Sequence, residues 1–348
     1  MSDTILQDSA NRLFGDLATP AVVNASEEGV WPAALWQAVE QAGFADALAA
    51  ASEAPGDLSG IIDAGAILRA MGRHAAPVPL AETILARWLL AGAGLAAPEG
   101  PLSIAPLDRE SVFTLRREAK GWRLSGRAAG IPWARQASAI VVIADGKVAR
   151  FTPAEADIRP GKSLAGEPRD DVSVDAVLAD EAAAPAPAGV DAMLLYRLGA
   201  LSRCHLMAGA LDGALALAVQ YANDRVQFGR PIGKFQAIQQ QLAVLAENVA
   251  ASGVAAATAA HVAAKRGDLA FAAAVAKSRV GEAAGRVAEI AHQVHGAIGF
   301  THEHRLHHLT RRLWAWRDEF GVESEWSIEL GRIAAQRGAD GLWGLLTE

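Results

Sequence analysis

The hydrophobic residues of this 348-residue chain change their spacing twice. Up to about Pro98 they fall in helical groups: Leu35, Val39 and Phe44, then Ile61, Ile62, Ile67, Leu68 and Met71, then Ile84, Leu85, Trp88 and Leu89. From about Glu99 to Ala182 the apolar and polar residues alternate in short runs. From Val190 onward helical stripes return, first at Leu211, Leu215, Val219 and Ala222, then at Ile238, Leu242, Leu245 and Val249. A period near 3.6 buries one face of a helix, and a period of 2 buries one face of a strand. A chain ordered this way is expected to be α+β and multidomain. The expected parts are an N-terminal α-helical domain over 1–98 and a small middle β-domain, barrel- or sandwich-like, over 99–182. A proline-containing linker over 183–189 leads to a C-terminal four-helix bundle over 190–348.

Local signals agree. Pro55-Gly56, Pro77, Pro79 and Gly92-Ala93-Gly94 break the first region into helices. Asp145-Gly146 lies between the β-rich runs Ala139–Ile143 and Val148–Phe151, the commonest signature of a tight hairpin. Hydrophobic residues make up 51% of the chain and charged residues 20%, a composition that folds. Aromatics are only 6%, so closely packed helices of small residues are favoured over a sandwich of bulky strands.

The net charge of -7 and the absence of any Lys/Arg block argue against nucleic acid or an anionic membrane as partner. The single cysteine, Cys204, excludes an internal disulfide and any thiolate metal cluster built by this chain alone. Met1 to Gly15 lacks a basic stretch followed by an apolar one, so no secretory leader is expected. No run of ~20 strongly apolar residues is evident, and the Ala-rich stretch Val249–Ala264 reads as a buried helix. A cytoplasmic location follows as an expectation.

Two segments carry candidate chemistry. Arg225-Val226-Gln227-Phe228-Gly229-Arg230-Pro231-Ile232-Gly233-Lys234-Phe235-Gln236 connects two helices. Its glycines and cations suit either a pyrophosphate, gripped by backbone N–H groups and arginine forks, or an ordinary solvated loop. Gln293-Val294-His295-Gly296-Ala297-Ile298-Gly299-Phe300 ends a helix with two glycines three apart. That pattern suits close approach of a ligand or a plain helix cap.

Together, in this order and context, the two segments resemble the signatures of the acyl-CoA dehydrogenase family. Gly72-Arg73-His74-Ala75-Ala76-Pro77-Val78-Pro79-Leu80-Ala81-Glu82 also resembles that family's link into its later N-terminal helices. The resemblance covers most of the chain and implies the same α–β–α fold. It further implies FAD, with Arg225, Gln227, Phe228 and Gln236 holding its pyrophosphate and adenine half across a subunit interface, and Gln293 and Gly296 making a second flavin contact. An oligomer follows. The implied reaction is α,β-dehydrogenation of an acyl-CoA thioester. A carboxylate takes the α-proton, flavin N5 takes the β-hydrogen as hydride, and electrons pass on to an electron-transferring flavoprotein.

The sequence also departs from the family. The usual base is a Glu followed by Gly and Thr. In Arg317-Asp318-Glu319-Phe320-Gly321-Val322-Glu323, Phe320 falls on that position and Glu319 stands one residue early. Glu319 is the expected catalytic base, with Asp318 behind it. The family's alternative place on the first bundle helix falls near Gly199-Ala200, which carries no acid. Beside the flavin ring, Gly130 and Pro132 replace an aromatic and a hydroxyl residue, with Trp133 adjacent. The acidic loop preceding this strand is shortened around Ile104 to Glu110. A second reading follows: a non-catalytic subunit that completes the FAD site of a longer family member.

Other features rank lower. His302-Glu303-His304-Arg305-Leu306-His307-His308 lacks the zinc-protease spacing, and no metal is expected, although His304 and His308 share a helix face. Gly92–Ala97 follows a helical run rather than a strand, so it is no dinucleotide fingerprint. Trp314 and Trp316, among Arg311, Arg312 and Arg317, suit an interface, a CoA phosphate or plain packing.

Overall fold

The computed structural model describes residues 2–105, 108 and 111–347. Of the shortened loop around Ile104 to Glu110, residues 106, 107, 109 and 110 lie outside the described residues. The N-terminal helices are α1 (Ser2–Leu17), α2 (Pro20–Glu27), α3 (Ala33–Gln41), α4 (Ala47–Ala50), α5 (Ile61–Arg73) and α6 (Leu80–Gly92). The start of α2 follows capping chemistry: Thr19 accepts the Val22 N–H, and the first residue of the helix is Pro20.

Among the described residues, eight strands form the middle domain: β1 (Leu102–Ala105), β2 (Phe113–Glu118), β3 (Gly121–Pro132), β4 (Ala139–Ala144), β5 (Lys147–Phe151), β6 (Ala156–Arg159), β7 (Arg169–Leu178) and β8 (Ala183–Pro185). They pair as two four-stranded sheets, ordered β1-β4-β5-β8 and β2-β3-β7-β6. The β1–β4 pair is parallel and the other pairs are antiparallel. The expected hairpin forms: Ala144 pairs with Lys147 across Asp145 (φ 46°) and Gly146 (φ 71°), both left-handed as a two-residue turn requires. The expected linker is shorter than its composition suggests. Ala183–Pro185 pairs along β5, covering an edge that would otherwise be open.

The C-terminal region holds α7 (Ala192–Asp224), the small hairpin β9 (Val226–Gln227) and β10 (Arg230–Pro231), α8 (Gln236–Ala264), α9 (Leu269–His295), α10 (Leu306–Asp318) and α11 (Glu323–Thr347). Helices α7 to α10 form the bundle, and α11 lies against α9. Asp191 and Asp268 cap α7 and α9 through the Leu194 and Phe271 N–H groups. Helix α7 is buried almost all round from Leu198 to Leu211 because it also meets α5. Small residues permit that crossing. A Cβ on Gly72 would lie 1.9 Å from the Leu206 carbonyl oxygen, and one on Gly209 would lie 1.8 Å from that of Arg69. Helix α8 is long and apolar enough to cross a membrane by length and composition, contrary to expectation, because alanine supplies steady hydropathy. Here its Leu245, Val249, Ala256, Ala260 and Ala263 face the bundle.

Candidate functional site

The two motif segments meet at one end of the bundle. Helix α7 stops there, α8 starts there and α9 stops there, so chain direction alone brings them together. Arg225 ends α7, exposed, and no carboxylate pairs with it among the described residues. Gln227 and Arg230 pair across a turn made by Phe228 (φ 51°) and Gly229 (φ 76°). Phe228 is 93% exposed, with the Phe235 ring edge-on at 6.2 Å. Arg230 covers the other aromatic, 4.2 Å above Phe235. Gln236 opens α8, exposed. The exposed Phe228 and the unpaired, exposed Arg225 lie within one short connection, both open to solvent. Such a connection suits a ligand or a neighbouring chain.

Gln293 and Gly296 lie at the end of α9, both exposed. Gly296 has φ 63° and ψ -144°, a conformation that only glycine adopts comfortably, and a Cβ there would meet nothing within 4 Å. The backbone is thus bare toward open space. Two hollows adjoin it. One, of about 490 Å³, is lined by Gly285, Glu289, His292, Gly296, Phe300 and Trp314 together with Gln293. The other, of about 340 Å³, is lined by Gln240, Gln241, Val244, Arg286, Glu289 and Gln293. Glu289 and Gln293 belong to both, so the hollows form one trough. Gln241 Oε1 is buried there without a hydrogen-bond partner. Tyr221 stacks on His295 at 4.7 Å and ties the first segment's helix to the second segment. The bare glycine backbone and the unpaired Arg225 fit the diphosphate tail of a dinucleotide, and the orphaned amide oxygen can accept from its hydroxyl or amino groups.

The place expected to hold the base looks different. Phe320, 1% exposed and at φ 55°, turns its ring onto Gly199, where a Cβ would lie 2.3 Å from the ring. The two alternative base positions therefore face each other, and the ring of Phe320 fills the space. Tyr196 meets that ring edge-on at 5.9 Å and stacks on Trp326, while the Arg203 guanidinium lies 5.2 Å above the ring. Lys277, fully buried, donates to the carbonyl oxygens of Arg317 (2.7 Å) and Gly321 (2.5 Å) and pins the loop. Burial pushes the Lys277 ammonium down to about 8.

Glu319 is not a free base. Its Oε1 accepts from Arg169 Nε at 2.6 Å and its Oε2 from Arg203 Nε at 2.5 Å. Burial alone raises its pKa, but the Arg169 and Arg203 charges outweigh burial and hold the carboxyl below the usual range. A base needs a raised pKa and an oxygen open to the substrate; this carboxylate has a lowered pKa and an arginine on each oxygen. It belongs to a ladder joining all three regions. Glu82 on α6 pairs with Arg203 on α7, Arg203 with Glu319, Glu319 with Arg169 on β7, and Arg169 with Glu167. Glu167 continues to Arg312 on α10 at 3.0 Å. Asp318, beside it, is exposed and next to Arg317.

On the sheet side, the positions expected beside a flavin ring are occupied differently. The Gly130 N–H donates to Asp171, Pro132 pairs with Arg169 in the strand register, and Trp133 is buried edge-on against Trp31. Pro132 has no N–H and the Gly130 N–H is engaged, so neither of the two replaced positions presents a backbone donor to a flavin ring.

Comparison with known proteins now bears on this geometry. Residues 192–317 match the family model "Acyl-CoA dehydrogenase, C-terminal domain". The acyl-CoA dehydrogenase IpdE2 of Mycobacterium tuberculosis is 30% identical over 319 residues, covering 88% of this chain and 89% of that protein. The chain belongs to the acyl-CoA dehydrogenase family. Among solved structures, the "Tcur3481-Tcur3483 steroid ACAD G363A variant" superposes with a TM-score of 0.83 at 27% identity, over 96% of this chain and 98% of that one. The ChsE4-ChsE5 complex of Mycobacterium tuberculosis gives 0.83 at 24%, over 97% and 98%.

As an acyl-CoA dehydrogenase family member, the chain carries its two motif segments on an open surface and fills the base position with the Phe320 ring. Two features escaped sequence reasoning. The aromatic wall of the trough joins residues from α9, the loop after it and α10, which no single-helix period connects. The ladder joins residues from α6, α7, the sheet and the end of α10, which no local pattern connects. Other candidates resolve plainly. His308 Nε2 lies 2.7 Å from Asn24 Oδ1 and His304 Nδ1 accepts the Leu306 N–H, and no metal-holding group of three exists among the described residues. Trp316 is packed inside, donating to Glu167, and burial pushes the Cys204 thiol up to about 12.

Proposed function

We propose that this chain is the base-less subunit of a two-chain, FAD-dependent acyl-CoA dehydrogenase. It grips the dinucleotide tail, while a second, longer family member supplies the ring site and the carboxylate. The observation that carries this reading is Phe320 packed on Gly199, which fills both base positions. The similarity to the solved Tcur3481-Tcur3483 steroid ACAD, which is named for two proteins, supports it. FAD is the cofactor that family membership indicates, and when bound it supplies the acceptor for the β-hydrogen of an acyl-CoA thioester. The electrons then pass to an electron-transferring flavoprotein.

This chain's own part is binding and orientation. Arg225 offers parallel N–H donors to the diphosphate, and Phe228 supplies an apolar cover. Gly296 lets the tail approach the backbone, and Gln293 and Gln236 provide amide contacts. The α-proton is taken by the partner's carboxylate, because both oxygens of Glu319 are engaged. The test is co-expression with a longer family member that carries the Glu-Gly-Thr base. Arg225→Ala in this chain should deplete the flavin. Glu→Gln at the partner's base should keep the flavin and abolish its bleaching by acyl-CoA. Retained bleaching in the second variant would overturn the assignment.

A further inference from the structure

We propose that Glu289 decides which adenosine diphosphate the trough accepts. The inference rests on the tail-site reading above and deepens it. Two such groups meet in this reaction. FAD ends in an adenosine whose ribose keeps free 2′ and 3′ hydroxyls, whereas the CoA of the substrate carries a phosphate on the 3′ position. A site that grips one must refuse the other.

The trough has the parts to do so. Its larger hollow has a flat apolar wall. Phe300, 68% exposed, lies parallel to His292 at 4.1 Å, and His292 lies parallel to Trp314 at 6.1 Å. An adenine laid on the open face of Phe300 is the natural occupant, since every purine has a flat face to stack. The smaller hollow carries Gln240, Gln241 and Arg286, donors suited to phosphate oxygens. Adenine in the first hollow and diphosphate toward the second, with Arg225 outside both hollows completing its donors, put the ribose at their junction. Glu289 stands at that junction, and Arg286 reaches only the second hollow. Arg286 Nη1 holds Glu289 Oε2 at 2.8 Å, and Oε1 has no protein partner among the described residues. A carboxylate so placed accepts from the vicinal hydroxyls of an unmodified ribose. It sets like charge against a 3′-phosphate.

The experiment is calorimetric titration of the flavin-free, full-length chain with ADP and with 3′-phospho-ADP, which differ only at the ribose. ADP should bind at least about tenfold tighter. Glu289→Gln, a surface change that leaves Tm in place, should bring the two affinities to within about threefold, and Glu289→Lys should favour 3′-phospho-ADP. Equal affinities in the native chain, or an unchanged preference in Glu289→Gln, would overturn the role of Glu289 while leaving the tail site standing. Binding of neither nucleotide would overturn the tail site itself, and this proposal with it.

Discussion

At the scale of single residues, the account turns on carboxylates and imidazoles that are buried with a purpose. Glu319 holds two arginines, so Glu319→Gln strands positive charge inside the molecule. Breaking such a pair typically costs about 3–5 kcal/mol. Urea denaturation should show a loss of that size, whereas replacing a true base would spare stability and remove activity. The histidines near the second motif make a separate prediction about pH. Burial lowers His74 to about 4 and His308 to about 3, with the nearby charges of Arg305 and other cations adding to the effect. His292, His295 and His304 shift in the same direction, again chiefly through burial. Between about 6.5, the free histidine value, and these lowered values the unfolded chain binds more protons than the folded one. Stability therefore rises with pH across that window and is lost on acidification through it. Thermal melts should show Tm falling steadily from neutral pH toward pH 4. A flat profile would contradict the buried, neutral state of these rings.

At the scale of elements, glycine positions report how closely helices and loops are fitted. A helix-interior Gly→Ala change usually stabilises by about 1 kcal/mol. At Gly199 the sign should reverse, because the added Cβ runs into the Phe320 ring. A loss of about 1–3 kcal/mol in Gly199→Ala, typical of overpacking, is expected by denaturation. A gain would mean that Phe320 does not occupy that space. The same elements show what a sequence can say. The three-part order, the Asp145-Gly146 hairpin and the bundle stripes were legible because each rests on local periodicity or turn chemistry. Glu319 as base was read by register along the chain, one residue from the usual place. Register does not say where a side chain points. Arg169 arrives from the sheet and Arg203 from α7, 150 and 116 residues away in sequence, and together they decide its fate. β8 was missed for a similar reason, since its partner strand lies far upstream.

At the scale of the whole molecule, the chain divides its inherited site in two. The end of the bundle proposed to grip the tail stays open, and the base position between sheet and bundle is filled by Phe320 beside the ion-pair ladder. A ladder touching α6, α7, β7 and the end of α10 also locks the three regions together, which favours a rigid half-site over a pocket that opens for an acyl chain. The absorbance spectrum of the purified chain, alone and then with acyl-CoA added, tests this division most directly. Without a partner the chain should lack stoichiometric flavin and show no bleaching. A yellow homo-oligomer with one FAD per chain, bleached by an acyl-CoA, would contradict it.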